Sequence, residues 1–442
     1  MAPIEQPLLS ARSAVASKPP LSYLNIFLES MANLWSEKNS EGWISLTVAE
    51  NKFLSNMIAE RMNSVPALPS ASLGYDNMKG TEKLREAVSA FANRTFLSGC
   101  ARPATADDVC ISAGCGAIID NLVFLTCDPG DTALIIAPYY PAFDNDLKVK
   151  AGAIPKPVWV SDDIAQNDSI QVEPSVIKEQ LARAADEATA AGSRVRNILI
   201  TNPSNPLGRT FSEAQLRAII EWCTERNVHL LCDEIYANSR FRANDDAPFV
   251  SAAAVVDSMR QSCAPDVAEK MDNLIHVLYG FSKDFGASGL RCGILISRSQ
   301  PIHNALSNIS YFCAVSNHTQ HALACLLEDE AWTEAYLAAN NAALAGAYGA
   351  LTAALDKHGI PHADSSSAMF CWIDLRKGLR EKTWAGEQEL WGRLVEQRLL
   401  LTPGGECHAM EPGFFRVCFA WMGSEKALEV AVERIAKVVA ST

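Results

Sequence analysis

The sequence predicts an α/β protein: a large domain built on a mostly parallel sheet flanked by helices, and a smaller α+β domain. Two observations carry this. Between residues 107 and 282 short apolar runs alternate with helical patterns, as in successive βαβ units. Past residue 320 the texture changes to long Ala- and Leu-rich stretches with two isolated strand-like runs. In order, DDVCISAG reads as a strand followed by the helical GAIIDNLVFLTC. DTALIIAP, RNILITNP, VHLLCDEI and LIHVLYGF are the next four strands. FSEAQLRAIIEWCTERN, with apolar residues at helical spacing, lies between two of them. These elements place the large domain at residues 71–319. Beyond it come the helical HALACLLEDEAWTEAYLAANNAALAGAYGALTAAL, the strand-like SAMFCWIDL, a further helix, the strand-like FFRVCFAW and a closing helix. They form a small domain at 320–442, completed by residues 21–70. Residues 1–20, MAPIEQPLLSARSAVASKPP, lack the apolar stretch of a signal peptide and read as a loose arm.

Composition removes several classes of function. The 442 residues are 48% hydrophobic and 20% charged, enough for a large core. A formal charge of −13 argues against a nucleic-acid or anionic-membrane partner, both of which want Lys and Arg in excess. No run of 18 apolar residues suggests a membrane span. Thirteen cysteines occur without any CxxC spacing. They read as reduced thiols of a cytoplasmic protein, with neither disulfides nor a metal site.

Ligands of a parallel sheet bind outside the carboxyl ends of its strands, so the residues after each strand matter most. VCIS is followed by AGCGA (113–117), ALIIA by PYYPAF with Tyr139 and Tyr140, and ILIT by NPSNPLG with Asn202 and Asn205. HLLC is followed by Asp233 and Tyr236, and HVLY by GFSKDFGASGLR with Ser282, Lys283 and Arg291. A small-residue turn opening a helix offers N–H groups to a phosphate, and Arg291 and Ser282 add donors. An aromatic face can stack on a planar ring. A buried aspartate can keep a ring nitrogen protonated, and a lysine amine can form a Schiff base with an aldehyde. A ring with a phosphate, a basic nitrogen and an aldehyde is pyridoxal phosphate.

YGFSKDFGASGLR, NPSNPLG, DEIY and ECHAMEPGFFRVCFA together resemble the fold-type I aminotransferase superfamily, and within it the 1-aminocyclopropane-1-carboxylate (ACC) synthase group. The similarity runs from about VAENKF to the end of the chain. It implies Lys283 as the Schiff-base lysine and Asp233 as the partner of the ring nitrogen. Asn205 and Tyr236 resemble the residues that hydrogen-bond the ring's phenolic oxygen. Tyr140 matches the stacking aromatic, with Tyr139 the alternative. Gly114, Cys115, Ser282 and Arg291 match the phosphate cup, and Tyr75 matches a tyrosine that reaches the neighbouring subunit's phosphate. Arg416 matches the clamp on the substrate α-carboxylate, a planar task suited to arginine. Glu50 matches a glutamate near the substrate. The chain departs from the pattern three residues before the lysine: Gly280 stands where many members have a phosphate-binding serine, so one phosphate contact is expected to be missing.

The resemblance implies a homodimeric enzyme acting on an amino acid. Its substrate displaces Lys283 from the cofactor and loses its Cα proton to the freed amine. A lyase of the ACC synthase type, with a γ- or β-leaving group such as the sulfonium of S-adenosylmethionine, is the main reading. An aminotransferase is the alternative. A non-catalytic effector domain is the remote one, because the first fifty residues show neither a helix-turn-helix pattern nor a basic cluster.

Overall fold

The computed structural model describes residues 8–10, 13–19, 21–160, 172–242 and 248–441. Half of the predicted arm (residues 1–7, 11, 12 and 20) lies outside the described residues. Seven strands form the central sheet: β1 (Val109–Ser112), β2 (Thr132–Ala137), β3 (Ile154–Trp159), β4 (Val195–Thr201), β5 (His229–Asp233), β6 (Ile275–Gly280) and β7 (Gly293–Ser297). Their order is β1-β7-β6-β5-β4-β2-β3. Only β7 runs antiparallel to its neighbours, β1 and β6. Two reversals cancel, so β1 points the same way as β6, and the AGCGA turn after β1 reaches the same rim as the lysine loop.

Two strands of this sheet are absent from the sequence reading. The first, β3, reads IPKPVW, and its prolines are tolerated because it is an edge strand. The second, β7, is a five-residue run directly behind the glycine-rich loop. The interior strands are hydrophobic on both faces because helices cover both faces. Leu134, Ile136, Ile198, Ile200, Leu230 and Val277 pack into one core. Ala133, Ile135, Leu199, Leu231 and Leu278, at the alternate positions, pack into another. Helix Glu213–Arg226 starts where Ser212 accepts from the N–H of Gln215 and stops at Asn227 in the left-handed region (φ 59°).

A second unit contains β8 (Phe370–Asp374), β9 (Thr402–Pro403) and β10 (Phe414–Cys418), antiparallel in the order β9-β10-β8. The N-terminal segment joins it: Ile44–Ser45 pairs in parallel with Leu399–Leu400, and Ile44 and Leu46 share its core with Leu351, Phe370 and Ile435. The 28-residue helix Glu330–Lys357 links the two units. Tyr336 near its start packs into the large core, and Leu344, Leu351 and Leu355 pack into the small one. Helix Asn317–Glu328 belongs with the large core through Leu323 and Leu326.

Candidate active site

A cavity of about 270 Å³ opens at the carboxyl ends of β4, β5 and β6, beside the first turn of helix Cys115–Thr126. At one end lies the AGCGA turn. Gly114 caps the helix at φ 94°, and a Cβ there would come within 2.5 Å of Arg291 Nη2, so the turn requires glycine. Arg291 donates to the carbonyls of Ser288 (2.9 Å) and Ala113 (3.4 Å), which holds the guanidinium over the helix start. No acidic residue stands in the helix's own first turn, although the Asp146 carboxylate lies beside it, 3.7 Å from where a Gly116 Cβ would be. Ser282 is buried and lines the same end. The Cys115 thiol donates to Tyr279 O at 3.0 Å, and its backbone N–H, at the first position of the helix, has no intrahelical acceptor. This end suits an anion.

On the cavity floor, Asp233 closes β5 and is 6% exposed. Burial raises its carboxyl to about 7, against the opposing pull of the Ile235 N–H and Lys283. Its Oδ1 has no hydrogen-bond partner, a costly state that a cationic N–H would relieve. Thr201, its register neighbour on β4, also has a buried hydroxyl without a partner. Tyr140 lines the wall, with Phe143 edge-on to its ring at 5.3 Å. The orphaned carboxylate, the anion-binding turn and the aromatic wall fit pyridoxal phosphate.

Lys283 faces this floor. Its Nζ donates to Ala49 O at 2.5 Å. Burial lowers its pKa; Cys418 and Glu50 oppose that, Arg416 adds to it, and Asp233 opposes it last. Tyr236 is buried, and Asn205 Nδ2 donates to its hydroxyl at 3.5 Å. Asn205 Oδ1 accepts from Arg416 Nη1 at 2.8 Å. Arg416 Nη2 donates to Thr47 O (2.5 Å) and Thr402 Oγ1 (3.1 Å), and the guanidinium lies 4.8 Å over the Phe370 ring. It is 1% exposed, its Nε has no partner, and no carboxylate among the described residues pairs with it. A buried cation without an acidic partner, hydrogen-bonded to the cavity-lining Asn205, suits a substrate carboxylate.

Five sequence-derived candidates sit apart from the lining: Gly114 and Arg416 adjoin it through Cys115 and Asn205, and Tyr139, Glu50 and Tyr75 stand further off. Tyr139 is committed elsewhere: its hydroxyl donates to Asp144 at 2.6 Å and its ring stacks on His408 at 4.4 Å. Glu50 accepts from Ser288 Oγ at 2.5 Å, near Lys283. Tyr75 is 99% exposed. Conversely, the sequence reading missed Asp146, Thr201, Thr47 and Tyr23. Asp146 lines the cavity, and its carboxyl is raised to about 7 by burial, then by Asp120 and Asp233. Its signal was available: Tyr140, Phe143 and Asp146 recur every three residues, which brings them to one side of a helical turn. Tyr23 is buried, hydrogen-bonds Thr402 and lies near Arg416. Nothing local in PPLSYLNIF signals this.

Residues 41–435 match the family of class I and II aminotransferases. ACC synthase 3 of Oryza sativa subsp. japonica is 38% identical over 409 residues, covering 90% of this chain and 87% of that protein. ACC synthase 7 of Arabidopsis thaliana is 34% identical over 410 residues, again 90% and 87%. Among solved structures, a double mutant of Thermus thermophilus aspartate aminotransferase superposes with TM-score 0.77 at 20% identity, covering 98% of this chain and 100% of that one. An aminotransferase from Mycobacterium tuberculosis does so with TM-score 0.72 at 21% identity, covering 99% and 100%. These two likenesses concern the fold.

Proposed function

The chain belongs to the class I and II aminotransferase family and is a pyridoxal-phosphate-dependent, ACC synthase-like enzyme, and we propose that it is a lyase acting on an amino acid with a γ- or β-leaving group such as S-adenosylmethionine. When bound, the cofactor supplies an aldehyde for amine capture and a protonated ring that accepts the electron pair left at Cα. The chain's own residues do the rest. Gly114, the Cys115 N–H, Ser282 and Arg291 hold the phosphate, Tyr140 stacks on the ring, and Asp233 keeps its nitrogen charged. Asn205 and Tyr236 hold its phenolic oxygen. Arg416 binds the substrate α-carboxylate while Asn205 bridges the two groups, and Glu50 lines the substrate's side with Ser288. Lys283 Nζ, first the attachment point, then takes the proton from the substrate Cα. An unperturbed lysine pKa is about 10.4, and burial moves Lys283 down from that range. With a sulfonium at Cγ, the Cα–Cγ bond forms as the Cγ–S bond breaks, and sulfur leaves as a neutral thioether.

The observation that carries this reading is a cavity lined by an amine of lowered proton affinity, with a buried arginine that lacks an acidic partner hydrogen-bonded to its wall through Asn205. The near-full-length identity to ACC synthases favours the lyase over transamination. Purified enzyme given S-adenosylmethionine, with products read by mass spectrometry, tests it: a thioether and a cyclic amino acid are expected. Conversion of amino acids only when a 2-oxo acid is added would overturn the lyase reading in favour of the aminotransferase.

We also propose a homodimer in which Tyr75 reaches the phosphate end of a second copy's cavity. Tyr75 and Leu73 are 99% and 80% exposed. Asn317 Nδ2, donating to the carbonyls of Ser72 and Gly74, ties their loop to the start of the helix just past the exposed Tyr311 and Phe312. Apolar groups gathered this way mark an interface. A cytoplasmic location is supported by thirteen free thiols, ten of them buried. Among the described residues no helix is long and apolar enough to cross a membrane.

A further inference from the structure

The phosphate end of the cavity is where three backbone segments crowd together. A Cβ on Gly293, the first residue of β7, would lie 2.3 Å from the Gly114 carbonyl carbon and 2.5 Å from the Cys115 nitrogen. That glycine lets β7 press against the turn. On the neighbouring strand, a Cβ on Gly280 would meet Cys292 O at 3.1 Å, Cys115 Sγ at 3.2 Å and Gly293 Cα at 3.4 Å. The Cys115 thiol is fixed there by its 3.0 Å bond to Tyr279 O. Of the atoms around Gly280, only the thiol belongs to a side chain that substitution can remove. Gly280 has an ordinary backbone conformation, absent from the positive-φ residues. It is glycine here for space and not for dihedral freedom.

We infer that Cys115 and Gly280 are a matched pair: the thiol occupies the room that a side chain at 280 would need, and so decides which groups build the phosphate cup. The cup in this chain is made of backbone N–H groups, Ser282 and Arg291, with nothing from position 280. A hydroxyl restored at 280 therefore weakens cofactor binding unless the thiol is trimmed at the same time. The inference rests on the reading that this cavity holds pyridoxal phosphate.

A double-mutant cycle tests it, with full-length wild type, Gly280→Ser, Cys115→Ala and the double variant, each stripped of cofactor and then titrated with pyridoxal phosphate. Two readouts are taken: melting of the apo protein, and cofactor affinity from the rise of visible absorbance. Overpacking destabilises, so Gly280→Ser alone is expected to melt about 1–3 °C lower and to bind roughly 10-fold more weakly. Cys115→Ala, which removes the thiol and keeps the backbone N–H, supplies the second single-variant leg of the cycle, and the double variant recovers at least half of both losses, as coupled neighbours do. If Gly280→Ser fails to fold, Gly280→Ala, which adds only the Cβ, runs through the same cycle. The pairing is overturned if the substitution at 280 alone binds and melts like wild type, or if the double variant is no better than that single one. Non-additive apo melting in a protein that binds no pyridoxal phosphate would leave the pairing standing and overturn the cofactor reading of the cavity.

Discussion

Replacing Asp233 by Asn should make the empty enzyme more stable and the loaded one gain less, an unusual pairing of outcomes. In the empty enzyme the carboxyl is buried with Oδ1 unpartnered, and its pKa rises from 3.8 to about 7. That is about 3 units, worth about 4 kcal/mol at 1.36 kcal/mol per unit for keeping the group ionised above pH 7. A carboxyl whose folded pKa is raised favours folding below the unfolded value near 4 and loses that contribution as pH climbs toward 7. Asn removes the charge but buries an imperfectly paired amide, which costs about 1–3 kcal/mol. The net gain for the empty protein at pH 8 is about 1–3 kcal/mol, a rise of a few degrees in melting temperature, and it shrinks between pH 7 and pH 4. Saturating cofactor reverses the ranking, because only the carboxylate can pair with a charged ring nitrogen. Thermal melts of both proteins from pH 4.5 to 8.5, with and without pyridoxal phosphate, measure all of this. A variant that melts below wild type at pH 8 when empty, yet gains as much from cofactor, would refute the reasoning.

Other expectations are more direct. Lys283→Ala should stay folded yet show no borohydride-stable attachment of cofactor by intact-mass spectrometry. Arg416→Lys loses the fork that spans Asn205, Thr47 and a substrate carboxylate; at about 3 kcal/mol for charged hydrogen bonds, kcat/KM should fall roughly 100-fold. Tyr75→Phe should leave the apo melting temperature within about 1 °C, as for an exposed position, while cofactor affinity drops several-fold in titration; unchanged affinity would sink the crossing role. At the opposite end of the sheet, His229 is pushed down to about 4 by burial and then by Arg196, and it hydrogen-bonds His276, whose pKa is also lowered by burial. A base with a depressed folded pKa stabilises above about 6.5 and loses that contribution as pH falls toward 4. His229→Gln should flatten the acid limb of a denaturant-melt profile over that range.

The part of this site legible without coordinates is what a strand and the few residues after it encode. Lys283, Asp233 and Asn205 were legible because each follows an apolar run within a few positions, and parallel strands deliver such positions to one rim. The apolar runs of β2, β4 and β5, buried along nearly their whole length, were legible as strands for the same local reason. Tertiary structure alone decided the contacts that join distant segments. Arg416 meets Asn205 across 211 residues and Thr47 across 369. Tyr139, the alternative to Tyr140 in sequence, is committed to Asp144 and His408. Asp146 became part of the cavity, and the antiparallel β7 pressed its Gly293 against the phosphate turn. Local pattern records hydrophobicity and period, whereas these outcomes depend on which surfaces meet and how much volume lies between them. That is why the thiol of Cys115 explains Gly280 only once both are seen on the same wall.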